Sequence, residues 1–263
     1  MTLEDLIASL TGVRVTGDVR IAVRAIRNDA RAIEAGDVYV AVRGMRADGH
    51  AFVPDAIARG AVAVVVERQL EVGVPQVIVP DGAVALGLLT GRRLGDPARA
   101  MTLVGITGTN GKTTTTYLVE SILTAAGARP GVIGTVEYRW RGRRGERITK
   151  AAPFTTPTPE VLHETFAAMR DAGCTHVVME VSSVALAMER LAGVRFAVAA
   201  FSNLTQDHLD VHGSMAAYRD AKQRLFARHL AGGAGAPRGT AVVNIDDPEG
   251  DGMAAAAPGA ILR

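Results

Sequence analysis

The sequence predicts an α/β protein with a small amino-terminal domain and a mostly parallel-sheet domain that carries a phosphate loop. Three observations support this prediction. Short apolar runs alternate with helical segments, Gly95-Asp96-Pro97-Ala98 interrupts the alternation, and GITGTNGKTTTT at residues 105–116 follows an apolar run. Strand–helix alternation is typical of parallel sheets with helices on both faces, and Gly/Pro clusters mark linkers. We therefore expect domains over residues 1–96 and 99–263.

Composition limits the function classes. The 263 residues are 48% hydrophobic and 21% charged, which is typical of a globular protein, and the formal charge of +2 gives no reason to expect a nucleic-acid partner. The single cysteine, Cys174, excludes an internal disulfide and fits a reducing cytosol, where we expect it to be a core thiol. The first residues, MTLEDLIASL, do not resemble a signal peptide, and no apolar run is long enough for a membrane span. We expect a cytoplasmic protein.

The first domain is predicted to begin with a helix over Thr2–Leu10, capped by its threonine. Its predicted strands are Asp37–Val42, Ala61–Val66 and Gln76–Val79, and its further helices are Val53–Arg59 and Gly82–Leu94. The predicted strands are short apolar runs, and segments with helical periodicity separate them.

The second domain is predicted to begin with the strand Thr102–Thr107 and a helix over Thr113–Ala126, with Leu118, Val119, Ile122 and Leu123 on one side. Further predicted strands are Gly131–Thr135, His176–Val181, Val198–Ser202 and Thr240–Ile245, with helices at Pro159–Ala172 and Met215–Leu230. The basic run 139–144 is interpreted as a solvated hairpin or loop in preference to a nucleic-acid contact. Gly232–Gly239 is interpreted as a flexible loop inside this domain.

The glycine loop matches the short pattern G-x-x-G-K-T over Gly108–Thr113; the strict eight-residue pattern fails at Ile106. Backbone N–H groups at a helix N-terminus attract phosphate. In such a loop Lys112 bridges the terminal phosphates and the Thr113 hydroxyl binds Mg²⁺. The alternative is a glycine-rich turn with an incidental lysine. Nucleotide binding is predicted, but it leaves the reaction open.

Polar residues follow two other predicted strands. Glu180 lies near the end of one, where a carboxylate facing the phosphate loop can hold a metal, or else cap a helix or form a salt bridge. The run 203–213, NLTQDHLDVHG, follows another strand and is either a polar site, or a surface loop or helix cap. By itself Lys222, in an amphipathic helix, is interpreted as a solvated lysine.

The order TGTNGKTTT, TTP, MEVSS, NLTQDHLDVHG, YRDAKQRLF and VVNIDDP resembles the Mur ligase family, and most closely its MurE branch, which adds the third amino acid to UDP-N-acetylmuramoyl-L-alanyl-D-glutamate. The resemblance covers nearly the whole chain. NDAR at residues 28–31, AGDVYVA at 35–41 and RADGHAF at 46–52 resemble the family's UDP-binding amino-terminal domain. In this family ATP phosphorylates a carboxylate, and an amine then displaces the phosphate to form an amide.

The resemblance implies ATP and Mg²⁺ as cofactors and a set of site residues. Lys112, Lys222 and His208 would be catalytic, with Lys222 carbamylated. The metal would be held by Thr113, Glu180, His208 and Lys222. The nucleotide would contact Gly108, Thr109, Asn110, Gly111, Lys112, Thr113, Thr114 and, at the adenine, Asn244. The UDP-muramoyl dipeptide would contact Asn28, Ala30, Thr155, Thr156, Ser182 and Arg190. The second substrate would be diaminopimelate or lysine, bound by the full-length enzyme. We expect a monomer with no nucleic-acid partner and no membrane span.

Three positions depart from the family pattern: Ala30 replaces a serine, Val184 a histidine and Met188 a glutamine found in some MurE enzymes. Each change removes a hydrogen-bonding side chain. Family members also continue beyond Asn244 through the rest of the central domain and a third domain, so these 263 residues are expected to be truncated and not to complete ligation alone. The alternatives are another Mur-type ligase, a cyanophycin or folylpolyglutamate synthetase, and a non-catalytic nucleotide- or UDP-sugar-binding remnant.

Overall fold

The computed structural model describes residues 1–45, 47–230 and 239–263. It divides into two compact units, Met1–Asp96 and Pro97–Arg263. Arg46 of the RADGHAF motif and nearly all of the predicted loop at 232–239 lie outside the described residues. Both units are mixed α/β structures rich in parallel strands, which confirms the predicted fold class.

The first unit is built on a five-stranded sheet of order β1-β5-β4-β3-β2. Its strands are β1 Arg14–Thr16, β2 Ile26–Arg27, β3 Val38–Val40, β4 Ala63–Val66 and β5 Gln76–Ile78, and its helices are α1 Leu3–Ile7, α2 Val53–Ala58 and α3 Gly82–Arg93. Only β1 pairs antiparallel among the strands described here. The predicted strands and helices are present, but α1 ends three residues early. The strands β1 and β2 were not predicted because neither contains an apolar run.

Alternate side chains of the buried strands form a hydrophobic core on each face of this sheet. Val38 and Val40 pack with Leu3, Leu6 and other apolar residues on one face. Tyr39 and Ala41 point to the other face, which is covered by α2 residues. Because successive side chains of a strand point to opposite faces, a short run of apolar residues supplies both cores.

The second unit is built on an eight-stranded sheet of order β13-β12-β11-β6-β10-β7-β8-β9. Its strands are β6 Thr102–Thr107, β7 Pro130–Ile133, β8 Glu137–Arg141, β9 Arg147–Ala151, β10 His176–Glu180, β11 Val198–Phe201, β12 Thr240–Val243 and β13 Ala260–Leu262. The six strands from β13 to β7 are parallel, and β8 and β9 extend the sheet as an antiparallel hairpin.

The helices of this unit are α4 Lys112–Ala125, α5 Pro159–Asp171, α6 Ser183–Ala187, α7 Leu209–His212, α8 Met215–Arg224 and α9 Gly250–Ala255. The helix predicted over Met215–Leu230 changes at Leu225, where a π-helical turn, Leu225–His229, continues it. In the described part of the chain no helix is long and apolar enough to cross a membrane.

The basic run 139–144 is not a solvated segment throughout, so this interpretation was wrong for its first two residues. Arg139 on β8 is buried and donates to the Glu120 carboxylate from Nε at 3.2 Å and from Nη2 at 2.6 Å. Its guanidinium lies 4.0 Å from the centre of the Tyr117 ring. Trp140 belongs to the core. An arginine run gives no sequence signal for such burial, because the partner Glu120 lies on a different element.

The predicted apolar side of α4 is also not a buried face. Leu118 is 60% exposed and Ile122 is 67% exposed, whereas the fully buried residue of this helix is Thr116. Periodicity identified the helix correctly, but it cannot show which face of a helix meets the core. Cys174, by contrast, packs in the core as predicted, and its burial raises the pKa of the thiol.

The π-helical turn places His229 in the core, where one ring nitrogen, Nδ1, lies 3.1 Å from the Val194 carbonyl oxygen. Because a carbonyl only accepts, the neutral ring donates from Nδ1. Burial lowers the pKa of His229 from 6.5 to about 4. The folded protein therefore holds this imidazole neutral at a pH where the unfolded chain protonates it.

We predict that stability falls as the pH is lowered from 6.5 to 4, because the unfolded state binds a proton at His229 that the folded state does not. The shift corresponds to about 3 kcal/mol of unfolding free energy below pH 4. Urea unfolding followed by the fluorescence of Trp140, the single tryptophan, measures it. The variant His229→Asn keeps an amide near the Nδ1 position and should show a flatter pH dependence; an unchanged slope would contradict the assignment.

Candidate active site

Three neighbouring strands end at the same edge of the second sheet. The glycine loop follows β6, Glu180 ends β10, and Ser202 follows β11; β6 lies between the other two. On one side of β6 lie β10 and β7. On its other side lie β11, β12 and β13. Ligands of open parallel sheets bind at such a switch point, beyond the carboxyl ends of the strands.

The glycine loop adopts a conformation that only glycine accepts at Gly108. Gly108 has φ +146° and Gly111 has φ +84°. A Cβ at Gly108 would lie 1.9 Å from Ser202 Oγ, so a side chain there would force the Ser202 hydroxyl to move. Gly111 is the residue before the first turn of α4, which starts at Lys112. The loop therefore leads directly into a helix N-terminus.

Two residues after β11 hold the loop from its side. Ser202 Oγ donates to the Asn110 carbonyl at 2.7 Å. Asn203 bonds the same residue twice, accepting from Asn110 N at 2.9 Å and donating to Asn110 O at 3.1 Å. Since these contacts join residues about ninety positions apart, the loop shape depends on the folded sheet.

Two lysines converge on the carbonyl of Gly108. Lys112 Nζ donates to it at 2.9 Å and to the Thr109 carbonyl at 2.8 Å, and Lys222 Nζ donates to Gly108 O at 2.8 Å. Lys222 is only 1% exposed, so the interpretation of a solvated lysine was wrong. Burial, with a smaller contribution from the Lys112 charge, lowers the pKa of Lys222 to about 7. Burial also lowers the pKa of Lys112.

Glu180 is buried beside the loop and held by two threonines. Its Oε1 accepts from Thr113 Oγ1 at 2.9 Å and from Thr135 N at 3.1 Å, and its Oε2 accepts from Thr135 Oγ1 at 3.0 Å. A Cβ at Gly134 would lie 2.4 Å from Glu180 Oε1, so glycine is needed to admit the carboxylate. The sequence alternatives of helix capping and a salt bridge do not describe these contacts; the partners are uncharged hydroxyl and backbone donors.

These groups surround one cavity of about 240 Å³. Its lining contains the loop residues Gly108, Thr109, Asn110, Gly111, Lys112, Thr113 and Thr114, with Glu180, Ser182, His208, Lys222 and Thr155 from elsewhere in the chain. Most of the site residues predicted for the nucleotide and the metal are thus brought together. The arrangement combines backbone N–H groups, two cations and a carboxylate, which suits a phosphate group with a divalent metal.

His208 reaches the cavity from a strained backbone position. It has φ +51°, and its side chain is half exposed beside Asp207, whose Oδ2 lies 3.5 Å from His208 Nε2. Among the described residues no group of three or more His, Cys, Asp or Glu side chains is arranged to hold a metal. A metal here would need further ligands beside Glu180 and His208, such as hydroxyl, phosphate or carbamate oxygens.

Three predicted contact residues are positioned differently. Asn244 lies outside the cavity lining and donates to the Ser202 carbonyl at 2.8 Å. The Thr156 hydroxyl is buried, donating to Glu180 O at 2.8 Å and accepting from Ser182 N at 3.0 Å, so its side chain joins two elements. Arg190 Nη1 donates to the Thr156 carbonyl at 2.9 Å, and burial lowers its pKa.

The remaining two predicted contacts, Asn28 and Ala30, belong to the first unit. They line a separate open cavity of about 810 Å³ together with Asp29, Arg31, Phe52 and Arg59. Its volume is ample for a small molecule.

Sequence reasoning gave no role to several residues that shape the site. Thr135 holds Glu180, and Tyr218 lies in the cavity lining with its hydroxyl 3.1 Å from Thr109 Oγ1. Ser183, also in the lining, lies 2.9 Å from His212 Nε2. The four-residue spacing from Tyr218 to Lys222 was the one available signal, since it puts both side chains on the same face of α8.

Comparison with known proteins explains this architecture. A model of the Mur ligase middle domain matches residues 106–262, and a model described as Mur ligase family, catalytic domain, matches residues 22–93. The chain belongs to the Mur ligase family. The family resemblance predicted from the motifs is confirmed.

Curated relatives of this Mur ligase chain are named UDP-N-acetylmuramoyl-L-alanyl-D-glutamate--2,6-diaminopimelate ligase. The one from Geobacter metallireducens is 41% identical over 256 residues, covering 97% of this chain and 49% of the relative. The one from Geobacillus thermodenitrificans is 44% identical over 228 residues, covering 87% of this chain and 46% of the relative. The chain spans about half the length of the curated relatives it matches.

Solved structures agree with this assignment. A ligase structure of the same name superposes on this Mur ligase chain with a TM-score of 0.81 and 27% identity, covering 100% of this chain and 52% of the other. MurF from Acinetobacter baumannii shares the fold, with a TM-score of 0.64 and 23% identity over 99% of this chain and 52% of the other.

We predict that Gly108→Ala destabilises the second unit more than Gly145→Ala does. Both glycines have positive φ, +146° at Gly108 and +87° at Gly145, which strains an alanine, but only at Gly108 does the new Cβ collide with a neighbour; the space around Gly145 is open. Chemical unfolding followed by Trp140 fluorescence compares the two variants. Equal losses would show that the contact with Ser202 does not restrain the loop.

Proposed function

We propose that this chain serves in ATP-dependent ligation of diaminopimelate to UDP-N-acetylmuramoyl-L-alanyl-D-glutamate, a step of peptidoglycan precursor synthesis. The observation that carries the proposal is the cavity in which the phosphate loop, Glu180, His208 and Lys222 meet. The names of the relatives favour diaminopimelate over lysine as the added amino acid. We propose, as expected from the sequence, that the protein is a cytoplasmic monomer.

ATP binding is supported by the geometry of the loop. The N-terminus of α4 faces the cavity with Lys112 in its first turn. The macrodipole and free N–H groups of this end favour phosphate. Lys112 now donates to two loop carbonyls, and a phosphate oxygen is a stronger acceptor for its ammonium group than either carbonyl. We therefore expect Lys112 to turn from the loop to the terminal phosphates when nucleotide binds.

Mg²⁺ fits the oxygen donors at this point of the cavity. Thr113 Oγ1 and Glu180 Oε1 lie 2.9 Å apart, so one ion can contact both when the hydroxyl proton turns away. His208 would support a second ion. When bound, Mg²⁺ neutralises charge on the phosphates and so assists transfer of the terminal phosphoryl group.

Carbamylation of Lys222 fits its surroundings. The side chain is buried and lies near the cation Lys112, and both disfavour an ammonium group. An unprotonated amine can add to CO₂ with release of one proton, which replaces a cation by a carboxylate. The product retains one N–H that can still donate to the Gly108 carbonyl, while its oxygens would add metal ligands to those of Thr113, Glu180 and His208.

The chemistry proposed has two steps. A substrate carboxylate oxygen attacks the terminal phosphorus of ATP, and the bond to ADP breaks, giving an acyl phosphate. The amino nitrogen of the incoming amino acid then attacks the acyl carbon, loses a proton, and inorganic phosphate leaves. The contribution of this chain is to hold two anions together, which Lys112 and the helix N-terminus do by charge and position.

The UDP-muramoyl dipeptide is assigned to the contacts predicted from the sequence. Thr155 and Ser182 line the cavity, and Arg190 supplies a partly buried cation whose guanidinium lies 4.8 Å from the centre of the Phe154 ring. A cation held by a carbonyl, a thioether and an aromatic ring, none of them an anion, suits a carboxylate or phosphate ligand. Asn28 and Ala30 would contact the uridine nucleotide in the cavity of the first unit.

A second candidate function is a nucleotide- or UDP-sugar-binding remnant without ligase activity. It is favoured by the departures at Ala30, Val184 and Met188. The Met188 thioether accepts from Arg190 Nη2 at 3.6 Å, a weak bond at the position where a glutamine would offer an amide oxygen.

We predict that Lys112→Ala weakens binding of magnesium–AMPPNP at least roughly tenfold, because it removes a charge-assisted bond to phosphate. Lys150→Ala removes an exposed lysine outside the cavity and should leave the affinity unchanged. Isothermal titration calorimetry measures both, and a parallel titration with the UDP-muramoyl dipeptide tests the substrate. Binding of both ligands supports the ligase; binding of the nucleotide alone supports the remnant; no binding of either rules out both.

We predict that Met188→Gln strengthens binding of the UDP-muramoyl dipeptide roughly two- to tenfold, because an amide oxygen can accept a full hydrogen bond from Arg190 and hold it in place. Met188→Leu, which keeps the volume without an acceptor, is the control and should bind no better than the parent. Calorimetric titration distinguishes them. Equal affinity of all three proteins would mean that this position does not orient Arg190.

A further inference from the structure

We propose that Tyr218 is a positioning residue that fixes Lys222 relative to the phosphate loop. Its hydroxyl bonds the loop, and its ring packs against the amine of Lys222. The proposal rests on the function proposed above and deepens it. Tyr218 lies on α8, four residues before Lys222, so the two side chains share a helix face. Both are almost completely buried.

The hydroxyl of Tyr218 completes the bonding of Thr109 in the loop. Thr109 Oγ1 accepts from Thr205 N at 3.0 Å and lies 3.1 Å from the Thr205 carbonyl, to which it donates. Its single proton is then used, so the contact of 3.1 Å with Tyr218 has the tyrosine as donor. In that arrangement the hydroxyls of Thr109 and Tyr218 and the N–H and C=O of Thr205 all have hydrogen-bond partners. Tyr218 therefore ties α8 to the second residue of the G-x-x-G-K-T sequence.

The ring of Tyr218 forms a wall beside the amine of Lys222. Lys222 Nζ lies 4.5 Å from the ring centre and donates to Gly108 O at 2.8 Å. A lysine has four rotatable side-chain bonds, and a flat wall on one side removes many of its conformers. The ring thus directs the amine to the loop carbonyl and to the cavity behind it.

The same ring also contacts the two histidines of the DHLDVHG segment. Its centre lies 6.2 Å from that of His208, edge to face, and 5.2 Å from that of His212. One aromatic side chain therefore touches Lys222 and His208, which come from different elements and are both assigned to the metal. The sequence alone could not indicate this, because His208 and Tyr218 lie ten residues apart across two helices.

The two parts of Tyr218 predict two separable defects. Tyr218→Phe keeps the ring and loses the hydroxyl, so it should weaken magnesium–AMPPNP binding roughly two- to tenfold while the amine of Lys222 stays in place. Tyr218→Leu loses both and should also reduce carbamylation of Lys222 at least twofold. Tyr39→Phe is the matched control: the Tyr39 hydroxyl is likewise buried and donates to a carbonyl, that of Gly49 at 2.9 Å, but it lies in the first unit.

The test measures two quantities on the 263-residue chain and its variants. Calorimetry gives the dissociation constant of magnesium–AMPPNP, and ¹³C NMR in ¹³C-bicarbonate gives the fraction of Lys222 that carries a carbamate, identified by its absence in Lys222→Ala. Unfolding transitions followed by Trp140 fluorescence check that each variant is folded. A purely structural role would lower the unfolding midpoint without separating the two variants in these measurements.

The expected result is weaker nucleotide binding with an intact carbamate in Tyr218→Phe, both defects in Tyr218→Leu, and neither in Tyr39→Phe. Parental nucleotide affinity in folded Tyr218→Phe would overturn the proposal, and this variant decides the matter even if Tyr218→Leu does not fold. An unchanged carbamate fraction in folded Tyr218→Leu would overturn the role of the ring. Failure of the parent chain itself to bind magnesium–AMPPNP would instead overturn the proposed function and, with it, this inference.

Discussion

Two lysine side chains that donate to one carbonyl oxygen form the interaction on which the candidate active site depends. Lys112 and Lys222 come from different helices, and both bond Gly108 O within 3 Å. Burying two ammonium groups is unfavourable: burial lowers the pKa of both amines, and the charge of Lys112 lowers the pKa of Lys222 further. An anion bound beside them would offset this cost. A phosphate on Lys112, and a negative charge in place of the Lys222 ammonium, would each relieve the repulsion.

The sheet topology explains how this convergence arises. The loop after β6 reaches Lys112, the end of β10 supplies Glu180, and the segment after β11 binds Asn110 through Ser202 and Asn203. Since β6 lies between β10 and β11, these three segments are neighbours although they are widely separated in sequence. The requirement for glycine follows from the same crowding. Gly108 makes room for Ser202, and Gly134 makes room for the Glu180 carboxylate.

Much of this could be predicted from the sequence, because apolar runs and helical periodicity are local signals. They identified most strands of both sheets, the phosphate loop and α4, and the motif order identified the Mur ligase family. What could not be predicted depends on partners from other elements. Lys222 looks like a solvated lysine until the fold buries it, and Arg139 looks solvated until Glu120 pairs with it. Thr156 matches a substrate contact, but its hydroxyl bonds Glu180 O and Ser182 N.

The most direct test of the central claim is a crystal structure of this chain with Mn²⁺ and AMPPNP, in which manganese is located by its anomalous scattering. The account predicts a manganese peak within coordination distance of Thr113 Oγ1 and Glu180, with Lys112 Nζ turned from the Gly108 carbonyl to a phosphate oxygen. Manganese elsewhere, or phosphates bound away from the α4 N-terminus with both lysines still on Gly108 O, would contradict it.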